Sequence, residues 1–316
     1  MTRGLMLISL LTMLGLLGCS SPRAGNGRTD EVLDAYHHRM MTSAHAAFSR
    51  GDIARAAELY ERAWIRARIA DRPVAIGASA YNLALCRIAL GRDDRVAELL
   101  AEAIVELERA GESTYDVQLV QAEYLRSSGE TSAAWSVTDA LLENRPPRPI
   151  RAQTRTLRAL LAMELDDFEA AREEWQQAER EGRRVRDERI AARLAEIEGQ
   201  IALVDDDLIA AATAFDREAH HYRNIGRYTD MSRALARAAD VWMLAAEPVK
   251  TLDRSYRAAR HYAAADQWTD ALQLLDRALP ALEDDEVEDL MIQRFAALVD
   301  EVASAMKKAA ARDVQE

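Results

Sequence analysis

From about residue 30 onward, apolar positions recur at helical spacing, and the runs are interrupted at regular places. Gly51, Gly91 and Gly129 each end one amphipathic stretch and begin another; Asp166-Asp167 and Asp205-Asp206-Asp207 do the same further on. The interruptions fall roughly 37–41 residues apart. A fixed period in that range predicts stacked helical hairpins, because one hairpin cannot bury its apolar face without a neighbour. No stretch alternates apolar and polar residues long enough to predict a sheet.

Segments that follow the interruptions can be laid over one another. Ala56, Tyr60 and Ala63 repeat as Ala171, Trp175 and Ala178, and again as Ala271, Leu275 and Ala278. In each, a small residue, a large apolar one four later and a small one three after that share a helical face. Small residues let two helices approach closely, and the large one fills the space between them. Proline placement agrees: Pro73, Pro146, Pro147, Pro149, Pro248 and Pro280 fall at helix boundaries of this period.

This pattern resembles the tetratricopeptide (TPR) family. The Gly51-Asp52 turn with Ala56, Tyr60 and Ala63 resembles the family's second-helix signature, and Tyr81-Asn82-Leu83-Ala84 its first-helix signature. The departures are the missing first-helix Trp, Ala44 and Ala84 where glycine is common, and a period above the family's. Repeats near Gly129 and near Glu247-Pro248 match poorly. The resemblance implies an all-α, right-handed α-solenoid of TPR-like hairpins over 31–281, with about six repeats. Arg145-Pro146-Pro147-Arg148-Pro149 either divides it into two lobes or is an ordinary turn between repeats. After Tyr228 the phase is open, since Leu252–Ala265 reads as the second helix of one repeat or the first of the next. Residues 282–316 read as an acidic first turn and a polar capping helix, with a partner-binding tail as the alternative.

The first thirty residues are of another kind. Arg3 precedes an apolar run from Leu5 to Leu17, about 13 residues where a membrane span needs roughly 20. The run ends in Leu16-Leu17-Gly18-Cys19, which resembles the lipobox of bacterial lipoproteins. That resemblance implies a signal peptide over 1–18, diacylglycerol and fatty-acyl (palmitate) groups on Cys19, and a lipidated tether over 19–30. Ser20, where an acid favours inner-membrane retention in the family, implies the outer membrane with the body facing the periplasm. Inner membrane and cell surface are the alternatives.

Composition narrows the function. A net charge of −12 argues against a nucleic-acid partner. With Cys19 acylated, Cys86 has no disulfide partner and reads as a small buried hydrophobe. No HExxH, CxxC pair, EF-hand loop, phosphate loop or GxSxG elbow occurs, so neither catalytic residues nor a metal or other cofactor are expected. His38 and His45 share a helical face without a third ligand nearby. As the family's first helices line its concave surface, the resemblance implies a partner groove with His38, Met41, His45, Phe48, Tyr81, Asn82 and Leu85. For Leu85 and Ile88, packing between repeats is an equal reading. Arg151, Arg155 and Arg158 form a basic stripe, read either as a face for an acidic partner or anionic glycan or as a solvated face answered by acids on a neighbouring helix.

Together these readings give a non-enzymatic, lipid-anchored scaffold that binds an envelope protein or peptide and supports envelope assembly. A ligand-binding protein or enzyme with a site in the concavity, and a structural homo-oligomer, are the competing classes; the sequence leaves oligomeric state open.

Overall fold

The computed structural model describes residues 35–284 and 287–313, and of residues 309–313 the backbone alone. Cys19 and the rest of the expected signal and tether therefore lie outside the described residues. Among the described residues there are fourteen α-helices and no strand. They are α1 (Ala35–Ser49), α2 (Ile53–Ile69), α3 (Pro73–Ala89), α4 (Val96–Arg109), α5 (Tyr115–Ser127), α6 (Thr131–Glu143) and α7 (Arg148–Glu164). There follow α8 (Phe168–Val185), α9 (Glu188–Val204), α10 (Leu208–Asn224), α11 (Tyr228–Leu244), α12 (Pro248–Ala264) and α13 (Trp268–Ala278). A 3₁₀ turn over Leu279–Glu283 then leads to α14 (Asp289–Asp313). No helix among them is long and apolar enough to cross a membrane.

Each interruption read from the sequence is a turn between helices, and its chemistry is local. At most of them the residue closing a helix adopts a left-handed backbone and the next one caps the following helix; after Gly91 the cap is Arg95. At the first turn Gly51 has φ +81°, the Asp52 amide donates back to the Ala47 carbonyl at 3.0 Å, and the Asp52 carboxylate accepts from the Arg55 amide at 3.1 Å. Asp167 and Asp207 cap α8 and α10 through the amides three residues on. Most left-handed positions fall at 51, 71, 91 and 111, and again at 166, 186, 206, 226, 246 and 266, twenty residues apart within each run, with Arg95, Gly129 and Arg145 outside the series. The true unit is thus one helix and one turn. This is why the phase after Tyr228 was open: consecutive helices carry equivalent positions. Leu252–Ala264 lies in α12, which packs on α11 before it and on α13 after it.

Ala246 holds φ +55° with a Cβ, which costs an L-residue roughly 1–2 kcal/mol. Ala246→Gly removes that strain at some entropic cost in the unfolded chain. It is expected to raise stability by about 0.5–1 kcal/mol, read as a higher urea midpoint at unchanged slope.

The chain divides into two compact units, meeting at Glu164/Leu165 and not at the proline-rich segment. Pro146 and Pro147 lie between α6 and α7, whose Leu141, Leu157 and Leu161 share one core with Leu119 and Ala122 of α5, so that turn is inside a packed body. In the first unit a second core joins α1 to α5, with Tyr60, Leu83, Leu85 and Leu100 at its centre. In the second, Phe215 and Trp242 anchor a cluster of α9, α10 and α11, and a larger core runs from α9 to α14. Helix α14 buries Phe295, Leu298 and Val302 and packs on α12 and α13. The acidic run before it precedes the helix instead of forming its first turn, where Asp289 is the acid.

Gly199 of α9 marks the tightest approach in the second unit. A Cβ there would lie 2.6 Å from Cε1 of the buried Phe215 ring. Gly199→Ala gains about 1 kcal/mol of helix propensity but overpacks an immobile ring, which costs about 1–3 kcal/mol. A net loss of up to about 2 kcal/mol is expected by chemical denaturation. Gly182→Ala, whose Cβ meets only the Ile190 and Leu194 side chains at 3.1 and 3.2 Å, is expected to be near neutral.

Candidate interaction sites

The face expected to form a groove on α1 and α3 is largely an interior. Met41, Tyr81, Asn82 and Leu85 are buried, His45 and Phe48 partly so, and His38 is exposed. Helix α3 has thirteen buried residues among its seventeen, so a partner finds little of it. The link from α1 to α3 runs through His37, a residue the sequence pattern did not single out; its Nε2 is 3.0 Å from Ser79 Oγ. His45 Nδ1 lies 2.9 Å from the Tyr60 hydroxyl, with the rings edge to face, and burial lowers its pKa. Apolar residues at helical spacing look alike whether they meet a ligand or the next helix, and here most of them meet the next helix.

The basic stripe on α7 is partly buried. Arg158 pairs with Asp139 of α6 and lies 4.2 Å from the Trp135 ring centroid, while Arg151 donates to the Pro146 carbonyl at 3.1 Å. Arg155 is likewise only partly exposed. For Arg158, an acid on the neighbouring helix supplies the answer.

Two features of the second unit were not anticipated. The first is a buried ionic network across α9, α10 and α11. Arg237 reaches Glu196 at 2.9 Å with one nitrogen and Glu218 with the other, and its guanidinium lies over the Phe215 ring at 5.0 Å. Arg193 meets the other oxygen of Glu196 at 3.3 Å. Burial pushes Glu196 up, but Arg193 and Arg237 overcome it and hold its carboxyl down to about 2. Glu218 goes the other way: burial, reinforced by the charge of Glu196, lifts it well above the usual carboxylate range. A signal was present in the sequence, because Ala211, Phe215 and Glu218 repeat the small–large–small spacing with an acid in the third place.

The second feature is a groove of about 410 Å³ framed by α8, α9 and α10. Its floor is Gly182, Ala191, Leu194 and Ala195, and the Trp175 indole closes one side by donating to the Leu194 carbonyl at 3.0 Å. Charged pairs form the rim: Arg183–Glu179 at 2.8 Å, Arg217–Glu198 at 2.6 Å and His221–Glu188 at 2.9 Å. Hydrogen bonds from His221 and then Asn224 lower the pKa of Glu188. An apolar floor within a polar rim is the anatomy of a protein-binding surface. Among the described residues no cluster of His, Cys, Asp and Glu is placed to hold a metal.

Within each unit, helices packed in sequence give this chain the fold of a TPR-like α-solenoid. BtubC (BKLC) from P. vanneervenii superposes on 74% of this chain and 93% of its own, with 19% identity and a TM-score of 0.52. A tetratricopeptide repeat protein from Parabacteroides merdae ATCC 43184 aligns over 85% of this chain and all of its own, with 13% identity and a TM-score of 0.46. NprR, solved in complex with its cognate peptide NprX, aligns over 96% of this chain and 82% of its own, with 14% identity and a TM-score of 0.36. At these identities the likeness is one of fold. No family model and no curated protein matches the sequence.

Proposed function

We propose that this protein is a lipid-anchored interaction scaffold of the bacterial envelope, held to the outer membrane through Cys19 and facing the periplasm. In this reading its groove on α8–α10 receives a peptide or protein segment and so supports envelope assembly, without catalysis of its own. The groove carries the proposal: its floor offers apolar area, and its paired rim charges can exchange partners at small electrostatic cost. The segment Leu16-Leu17-Gly18-Cys19 supports the anchor. Acylation by two or more chains suffices for stable attachment.

The test combines fractionation with site-specific photo-crosslinking in cells. Wild type should take up labelled palmitate and sediment with outer membranes, while Cys19→Ser should do neither. A photoreactive residue replacing Arg217 should trap one envelope protein, and the same residue at His38 should not. Label retained by Cys19→Ser would overturn the anchor. A crosslink to a second copy of the chain, or none from the groove, would overturn the scaffold reading in favour of a homo-oligomer or a small-ligand site.

A further inference from the structure

The second unit has two unlike edges. Helices α9 to α12 pack consecutively and reverse at three-residue turns, so alternate turns share an edge. One edge carries the turns at 205–207 and 245–247 and the end of α13. A cavity of about 380 Å³ confirms the juxtaposition, since Met243, Ala246 and Pro248 line it together with Pro280, Ala281 and Glu283. The ion pair of Arg172 with Asp205 brings the start of α8 to the same place.

This edge is apolar and acidic. Leu203, Val204, Ile209, Met243, Leu244 and Val249 are exposed along it, Leu244 to 66%. Leu165 and Leu279 flank them. Of the ten large apolar side chains exposed among the described residues of this unit, these eight gather here, which scattered surface hydrophobes do not do. Between them stand Asp205-Asp206-Asp207, Glu247, Glu283 and Asp284. The bases beside them, Arg172, Lys250 and Arg277, are already paired with Asp205, Glu247 and Asp240. The opposite edge, with turns at 186–187 and 225–227, instead carries exposed Arg183, Arg184, Arg186 and Arg223, and Tyr228 as its one large exposed apolar residue.

We infer that the apolar, acidic edge docks a basic amphipathic segment of a partner protein. Lysine or arginine on such a segment meets the turn acids while its apolar side chains cover the Leu244 row and reach the cavity beside Pro280. An anionic membrane surface would be repelled by the same acids. The inference names a partner chemistry for an interaction protein and in that sense rests on the scaffold reading, but it does not use the α8–α10 groove.

The experiment titrates the full mature chain with two labelled 18-residue peptides of one amphipathic pattern, Leu/Lys and Leu/Glu, by fluorescence anisotropy. The Leu/Lys peptide should bind, more weakly as salt is added, and the Leu/Glu peptide should not. The exposed substitutions Val204→Lys and Leu244→Lys together should weaken binding by about tenfold or more, with the helical circular dichroism and the unfolding midpoint unchanged. Trp175→Ala in the groove should leave it unaltered. Equal binding of both peptides, loss on Trp175→Ala alone, or indifference to the paired lysines would overturn the inference. So would binding of the chain to anionic phospholipid vesicles, or self-association abolished by the same two lysines, without capture of the Leu/Lys peptide. Failure here together with a groove crosslink in cells would leave the scaffold reading standing; failure of both would remove it.

Discussion

Arg237→Leu is expected to destabilise the second unit by about 3–5 kcal/mol, the cost of leaving buried carboxylates without their shared cation. Arg237 is the group joining Glu196 to Glu218, and each carboxylate is held by it from a different helix, α9 and α10. Without it, Arg193 alone answers Glu196, and Glu218, almost fully buried, keeps only the charge of Arg193 to offset its own when ionised. Hydrophobic replacement of the cation alone is therefore the damaging change. Replacing both partners at once, as in Glu218→Gln with Arg237→Leu, should recover part of the loss. Urea unfolding of the three variants checks this, and a loss below about 1 kcal/mol for Arg237→Leu would mean the network is solvated.

The same network sets the pH dependence. Glu196 is depressed in the folded chain, so its contribution is fully present above the ordinary glutamate range and is lost as pH falls towards about 2. Glu218 is raised, so its contribution is fully present below the ordinary glutamate range and is lost as pH rises through its elevated folded value. Glu218→Gln stays neutral and removes that second loss. Its stability relative to wild type should therefore improve with rising pH, by at most about 1.4 kcal/mol per pH unit. A difference that is flat with pH would show that Glu218 carries no raised pKa.

Tyr60→Ala is the second large effect, expected to cost about 3–5 kcal/mol in the first unit. The ring is fully buried, between Ala56 and Ala63 of its own helix and the core that joins α1 to α5. Its removal leaves a cavity that the small neighbours cannot fill. Tyr60→Phe separates the two components: it keeps the packing and loses the hydroxyl contact to His45, so about 0.5–1.5 kcal/mol is expected. Thermal unfolding of both variants, with near-ultraviolet dichroism to follow the core, distinguishes packing from hydrogen bonding. Similar losses in the two would place the energy in the His45 contact.

Much of the fold was legible because its determinants are local. A left-handed closing residue decides where most helices stop, and at four of them a capping aspartate marks where the next begins. Gly51-Asp52, Asp166-Asp167 and Asp206-Asp207 show that chemistry openly. The turn closed by Ala246 lacks such a residue, and there the sequence period had to serve instead. The small–large–small triplets were also readable, since the positions that let helices approach are those that exclude water: Ala56, Ala63, Ala171, Ala178, Ala271 and Ala278 are all buried.

The candidate sites were less legible, and for a physical reason. Helical periodicity fixes which side chains share a face but not what stands opposite that face. Tyr81 and Leu85 share one on α3, yet they, like Met41 of α1, are buried where a groove would need them open. Arg193, Glu196 and Arg237 read along the chain as ordinary solvated charges; only the packing of α9, α10 and α11 brings them round the buried Glu218. The α8–α10 groove likewise joins Trp175 to Leu194, nineteen residues apart, across a contact set by Gly182. The sequence by itself determined the helices, their caps and their order, because those depend on neighbours along the chain. Only the tertiary structure decided which charges are buried and which faces remain open, because desolvation depends on what packs against a side chain from elsewhere in the fold.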